Sequence, residues 1–329
     1  MGAGFHVLAL VVAAAAATPT NLPDAPSPST PPRPGEATLR TGYGPQARSR
    51  GAAPSSGRWL EPQVVTGRCG GSAEGRGRVA VYLPAGHTPA RRWPLVIALH
   101  GWNHEAGRWR SLGLGPLADR HGLVVVAPEM GTSVYERASY PESVQAWGPA
   151  PGACWIGEVV LPWARRTLAV DGSRARTAAL GYSTGGRGAL VVAGRYPELA
   201  FAGSLSGTYE LAALDDEAGE YRIHERVFGP RRAFAERWSG EEIPLDAPAL
   251  AATRLWLAHG AEDQVVPAAQ LTKVQARLRR SHPGLVARRV PGAGHGDAFW
   301  RAQLPPLVEA LARAVDARAG GSPRRPVRP

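Results

Sequence analysis

Lysine is almost missing from this chain of 329 residues: Lys273 is the only one, so the net charge of +11 is carried by arginine. The arginines are scattered rather than gathered in a stripe, and no nucleic-acid-reading motif accompanies them. Nucleic acid is therefore not an expected partner. Cysteine is scarce too. Cys69 and Cys154 are too few for a disulfide framework, and neither C-x-x-C nor H-E-x-x-H spacing occurs, so no metal site is expected. In an exported chain the two cysteines could form one bridge, and two unpaired buried thiols are the alternative; the sequence does not place their Cα atoms, so both remain open. The apolar run "FHVLALVVAAAAA" at 5–17 is too short to cross a bilayer but has the length of an export signal, with an Ala-x-Ala cleavage pattern at 15–17. No Lys or Arg precedes it, and no cysteine follows to carry a lipid. The expectation is a signal peptide at 1–17 and a secreted or periplasmic protein without stable membrane insertion; a cytoplasmic protein is the alternative.

Apolar residues make up 44% of the chain and charged residues 20%, a globular composition with material for a sizeable core. Residues 18–61 are rich in Pro, Gly, Ser and Thr and are expected to form a disordered linker; 319–329 reads as a disordered basic tail. Between them, 62–318 alternates short apolar runs with longer helical patterns. "RVAVYLP" (78–84), "PLVIALHG" (94–101), "LVVVAPE" (123–129), "RTAALGY" (176–182), "FAGSLSG" (201–207) and "RLWLAHG" (254–260) read as strands, several apolar throughout as in a sheet covered on both faces. Helices are expected at 107–121, 156–168, 185–196, 268–280 and 297–315. The alternation predicts an α/β domain: a mainly parallel twisted sheet with helices on both faces.

The chemistry-bearing residues fall at predicted strand ends, where such sheets collect function. Gly181-Tyr182-Ser183-Thr184-Gly185 fits the G-x-S-x-G turn that holds a nucleophilic serine between a strand and a helix. Alone that pattern is weak, and its bland reading is a tight polar turn. A serine hydroxyl needs a base, and His295 in "VPGAGHGDAFW" is the candidate. Asp263 in "RLWLAHGAEDQVVP" would orient the imidazole, with Glu262 and Asp297 as rivals. Backbone N–H groups of Thr184 and of Trp102, in the loop after "PLVIALHG", are the expected oxyanion donors. Trp102 and Trp300 are expected to wall a substrate pocket. Trp102, Trp147, Trp155 and Trp300 could also stack on sugars, although core packing accounts for most of the ten tryptophans.

Together, "GYSTGGRGALVVAGRYPELAFAGSLSGTYEL", the preceding "IGEVVLPWARRTLAVDGSRARTAALG" and the later "RVFGP" resemble the esterase D-type esterases of the α/β-hydrolase superfamily. That group includes S-formylglutathione hydrolases and secreted acetylxylan and feruloyl esterases. The resemblance covers about 90–320 and implies a serine carboxylesterase with no cofactor, acting on a small-molecule or polysaccharide-linked ester. Thr184 departs from it, since methionine is common there. The interval 208–253 is charged and lacks a long apolar face, which favours short acyl groups. The alternatives are a polyester depolymerase or peptidase using the same triad, and a non-catalytic glycan-binding protein on the same scaffold.

Overall fold

Three five-residue segments with no exposed residue, Leu95–Leu99, Val124–Pro128 and Phe201–Leu205, and the six-residue Thr177–Tyr182 form the middle of one nine-stranded sheet. The computed structural model describes residues 56–70, 74–140 and 151–316. The expected signal peptide at 1–17, nearly all of the expected linker, Trp147 and the expected tail at 319–329 lie outside the described residues.

In chain order the strands are β1 (Arg58–Trp59), β2 (Gln63–Gly67), β3 (Gly75–Leu83), β4 (Leu95–Leu99), β5 (Val124–Pro128), β6 (Thr177–Tyr182), β7 (Phe201–Leu205), β8 (Arg254–Gly260) and β9 (Val286–Val290). They pair in the order β1-β3-β5-β4-β6-β7-β8-β9, with β2 also on β3. From β5 to β9 every pairing is parallel, while β1, β2 and β3 join antiparallel. The α/β fold with a mainly parallel sheet is therefore present. The edge strand β9 carries Arg288 and Arg289, charges that discourage pairing with another sheet.

The helices are α1 (Arg108–Ser111), α2 (Leu114–His121), α3 (Gly152–Cys154 running on through a π-helical stretch, Trp155–Val160, into Leu161–Thr167), α4 (Thr184–Arg195), α5 (Gly219–Phe228), α6 (Ala235–Gly240), α7 (Pro248–Ala251), α8 (Ala269–Leu278) and α9 (Asp297–Asp316). The single helix expected at 107–121 is broken, because Gly113 adopts a left-handed φ of 87°. On one face of the sheet Trp155, Ile156, Leu190 and Val274 from α3, α4 and α8 pack together. On the other, Trp109 and Leu114 pack with Leu304, Leu307, Val308 and Leu311 of α9. Burying each such aliphatic side chain contributes about 1.5–3 kcal/mol. At Gly203 of β7 a Cβ would meet Leu307 at 2.8 Å, so this glycine lets α9 lie flush on the sheet.

The ordered sheet begins before residue 62. Arg58 and Trp59 pair with Leu83 and Tyr82, and the Trp59 ring packs 5.2 Å from that of Tyr82. The preceding Gly57 N–H donates to the Asp119 carboxylate. Trp59 brings to this start a large aromatic, a residue type nearly absent from the composition of 18–55. Cys69 and Cys154 are bonded to each other, with Cα atoms 5.7 Å apart, joining the segment after β2 to the start of α3. Among the described residues no helix is long and apolar enough to cross a membrane.

Candidate active site

The chain runs from β4 outward to β5 and then returns to β6 on the other side of β4. Such a reversal opens a crevice beyond the carboxyl ends of the two strands. Trp102 follows β4, and Ser183 follows β6, at this crevice.

Ser183 has φ 55° and ψ −128°, a conformation that side-chain-bearing residues rarely adopt. Its neighbours make the turn possible. A Cβ on Gly181 would lie 2.1 Å from Gly185 O, and a Cβ on Gly185 would lie 2.1 Å from Leu99 O. Both glycines therefore allow β6, α4 and β4 to close on one another. The turn is held by the Ser183 N–H donating to Leu205 O at 2.8 Å.

His295, in the loop between β9 and α9, places Nε2 3.0 Å from Ser183 Oγ. Its Nδ1 lies 2.7 Å from Asp263 Oδ2. A carboxylate only accepts, so Nδ1 carries the proton and Nε2 is the basic nitrogen facing the hydroxyl. The Asp263 Oδ1 oxygen accepts from the N–H groups of Val265 and Val266, at 2.9 and 2.8 Å. Burial alone would raise the Asp263 carboxyl. Hydrogen bonds from His259, His295 and the backbone outweigh it and hold the group well below the usual carboxylate range. Asp263 is thus a fixed negative charge beneath the imidazole.

The rival acid Asp297 is engaged elsewhere, pairing with Arg108 and with Arg301 in the first turn of α9. Glu262 is bound into the loop by its backbone, its N–H donating to Ala293 O at 2.9 Å.

Thr184 opens α4, and its N–H is at the positive end of that helix. Among the described residues neither this N–H nor that of Trp102 has an acceptor. The Trp102 loop is held by His100. The His100 Nδ1–H donates to Gly101 O at 2.8 Å, and Nε2 accepts from the Met130 N–H at 2.9 Å. Burial lowers this imidazole to about 4, so His100 is neutral, and its 3.7 Å approach to Glu129 is not an ion pair. Tyr135 OH donates to His100 O at 2.8 Å.

Two readings of the sequence change. Trp300 was expected to wall the pocket, but it is only 4% exposed. Its ring lies 4.4 Å from Tyr182 and stands edge-on to His295 at 5.3 Å, so it buttresses the histidine instead. The cause is its place on the inward face of α9, beside Phe299. Trp155 is likewise core, whereas Trp102 is half-buried against the cluster of Leu211, Leu214, Tyr221 and Phe228. The second change is a residue not singled out. His259, fully buried in β8, places Nε2 2.9 Å from Val266 O and 3.3 Å from Asp263 Oδ2. Facing two oxygens, that nitrogen is the protonated one. The signal available was the His-Gly-x-x-Asp spacing at 259–263, which says only that the histidine ends a strand.

Among the described residues, one group has metal-ligand spacing: Cys69, Cys154 and Glu158. Its two sulfurs are bonded to each other.

The family model described as "Putative esterase" matches residues 71–311. No curated protein matches the sequence. Solved structures do. A fluorophosphonate-binding serine hydrolase of Staphylococcus aureus is 16% identical with a TM-score of 0.56, covering 78% of this chain and 99% of its own. The S-formylglutathione hydrolase of Agrobacterium tumefaciens gives the same identity, coverage and TM-score. A ferulic acid esterase is 17% identical with a TM-score of 0.58, covering 79% and 99%. These neighbours show the α/β-hydrolase fold.

Proposed function

The chain belongs to this esterase family of carboxylic-ester hydrolases, and from that premise we propose that Ser183, His295 and Asp263 are its catalytic triad. The observation that carries the reading is the continuous line Ser183 Oγ–His295 Nε2 at 3.0 Å and His295 Nδ1–Asp263 Oδ2 at 2.7 Å. Ser183 Oγ attacks the ester carbonyl carbon as His295 Nε2 takes its proton. The carbonyl oxygen becomes an oxyanion facing the Thr184 and Trp102 N–H groups. Collapse expels the alcohol, which receives the proton from His295. Water, deprotonated by the same nitrogen, then releases the acid and restores Ser183. Asp263 stabilises the imidazolium at each step, and His259 in turn holds Asp263.

The substrates are short-acyl esters, of small molecules or of polysaccharides, acetyl or feruloyl esters among them. The protein works outside the cytoplasm; the Cys69–Cys154 bond and the apolar run at 5–17 support this.

The test is Ser183→Ala in the full chain, assayed on p-nitrophenyl acetate beside Asp263→Asn and Asp297→Asn. Ser183→Ala abolishes turnover with an unchanged melting curve. Asp263→Asn lowers kcat by about three to four orders of magnitude by favouring the wrong imidazole tautomer, and Asp297→Asn leaves most of it. Near-normal turnover by Ser183→Ala would overturn the mechanism.

A further inference from the structure

Thr184 carries a hydroxyl that the triad does not use. The residue is fully buried, and its Oγ1 has no hydrogen-bond partner among the described residues. Such atoms are rare in folded proteins, because a hydroxyl taken from water without a partner costs stability. A partner that arrives during the reaction would account for it.

The place of the residue says which partner. Thr184 is the first residue of α4, a helix of 12 residues, and directly follows the nucleophile. Ser183 gives that helix no side-chain cap. Its carbonyl oxygen accepts from the Gly186 and Arg187 N–H groups, at 2.8 and 3.2 Å, and the Thr184 N–H stays without an acceptor. In a helix each Cα–Cβ bond tilts toward the N-terminus. The free N–H of the first residue points toward the same end. The N–H and the side chain of Thr184 therefore leave the helix on one side, from adjoining atoms. An oxygen held by that N–H lies within reach of the hydroxyl, which rotates to suit its acceptor.

The oxyanion is such an oxygen. Once Ser183 Oγ has bonded to the carbonyl carbon, the former carbonyl oxygen sits on the same carbon as Oγ. It is thereby delivered to the next residue of the chain. Ser206 Oγ is also buried and without a partner among the described residues, but it is not an equivalent. Ser206 follows β7, and β6 stands between β7 and β4. It lies across the nucleophile strand from the Trp102 loop, on the side of Asp263.

We propose that the Thr184 side chain is a third oxyanion donor, its Oγ1–H donating to the former carbonyl oxygen beside the N–H groups of Thr184 and Trp102. The inference rests on Ser183 as the nucleophile. It adds no covalent bond and no proton transfer to the reaction. The hydroxyl gains a charge-assisted hydrogen bond only as negative charge develops. A contact made in the tetrahedral state and not in the ground state lowers the barrier and leaves KM alone. Acylation and deacylation both pass through that oxyanion, so loss of the donor slows both.

Thr184→Val puts a methyl group in place of the hydroxyl and keeps the branching at Cβ; Thr184→Ser keeps the hydroxyl. Both full-length variants are assayed on p-nitrophenyl acetate, titrated to the endpoint with a fluorophosphonate and melted. Thr184→Val should lower kcat at least about tenfold with KM little changed. Thr184→Ser should retain most of the wild-type rate. Affinity for a trifluoromethyl ketone, whose adduct with the nucleophile carries the same oxyanion, should weaken in Thr184→Val by a factor similar to the loss in kcat. Endpoint labelling should stay complete, and Tm of Thr184→Val should not fall, because an unpartnered hydroxyl gives the free enzyme no stability. A wild-type kcat or an unchanged ketone affinity in Thr184→Val overturns the third donor. A fall in Tm, or equal losses in the Val and Ser variants, also overturns it, by assigning the side chain a structural role. An inactive Ser183→Ala beside a fully active Thr184→Val removes the third donor alone; an active Ser183→Ala removes the nucleophile as well.

Discussion

His259 Nε2 approaches Asp263 Oδ2 to 3.3 Å, reaching the same oxygen that takes His295 Nδ1 at 2.7 Å. The carboxylate is thus held from both sides, and Val265 and Val266 N–H groups fix its other oxygen. Removing the His259 donor frees Asp263 to rotate and leaves Oδ2 one hydrogen bond short. We expect His259→Leu to lower kcat roughly tenfold or more, the weight of one hydrogen bond to a charged group, with KM little changed. His259→Gln, whose amide nitrogen can occupy the place of Nε2, should recover most of the loss. Equal kcat in the Leu and Gln variants would show that His259 only fills space.

The contrast between Asp263 and His259 marks what the sequence could carry. Ser183, Asp263 and His295 each follow a strand, and parallel strands deliver their carboxyl ends to one edge, so order along the chain implied proximity. His259 lies inside β8, where a histidine amid Leu255, Leu257 and Ala258 reads as a strand residue. Only the turn at Gly260–Asp263 brings its ring back to the carboxylate. Trp300 was misread for a related reason. A helical pattern gives the inward face of α9 but not what that face covers, and it covers His295. The bond between Cys69 and Cys154 was open because 85 residues separate them, and no local pattern fixes such a distance. In the interval 208–253 the charged residues concealed α5 and α6, which share a small core of their own, and α7, whose Leu250 joins the main core.

One of those concealed charges makes stability depend on pH. Glu220 on α5 is fully buried; Oε1 accepts from Thr208 Oγ1, and Oε2 has no partner among the described residues. Burial pushes its carboxyl up to about 8, from an ordinary value of 4.5. The folded state therefore keeps a proton that the unfolded chain gives up. The stability this group contributes is full below about 4.5 and is lost as the pH rises through about 8. Glu220→Gln keeps the acceptor for Thr208 and cannot ionise. Thermal melts from pH 5 to pH 9 should show Tm of the variant falling less with pH than that of the wild type, by several degrees at the alkaline end (~2–4 °C per kcal/mol). Parallel Tm curves would show that Glu220 is ionised in the fold. Glu136, raised by burial to about 7, acts with the same sign and leaves a residual slope.

The Cys69–Cys154 bond closes a long loop around β3, β4 and β5. Cross-linking over such a length restricts the unfolded chain, and its loss typically costs about 2–4 kcal/mol. The double change Cys69→Ser, Cys154→Ser should lower Tm markedly while sparing turnover of p-nitrophenyl acetate, because neither sulfur touches the triad. In the native protein both cysteines should resist maleimide until a reductant is added. Labelling without reductant would mean that the pair is unbonded.

Acyl length tests how the interval 208–253 is used. Of its apolar residues, Tyr209, Ile243, Leu245 and Leu250 join the main core, while Leu211, Leu214, Tyr221, Val227, Phe228 and Trp238 pack on one another and on Val134, with Trp102 against their edge. They are spent within that small core, and the remaining faces of α5 and α6 bear charge. Burying a methylene is worth about 0.8 kcal/mol only where an apolar wall receives it. An acyl chain growing away from Ser183 meets Trp102 and then a packed cluster, so added methylenes gain little. For p-nitrophenyl esters from acetyl to palmitoyl, kcat/KM should be highest between acetyl and butyryl. It should fall at least about tenfold by octanoyl, a barrier difference of about 1.4 kcal/mol. A maximum at decanoyl or beyond would require this cluster to part and admit the chain; in that case Trp238→Ala, which loosens the cluster, should raise the rate on long esters while leaving acetyl turnover unchanged.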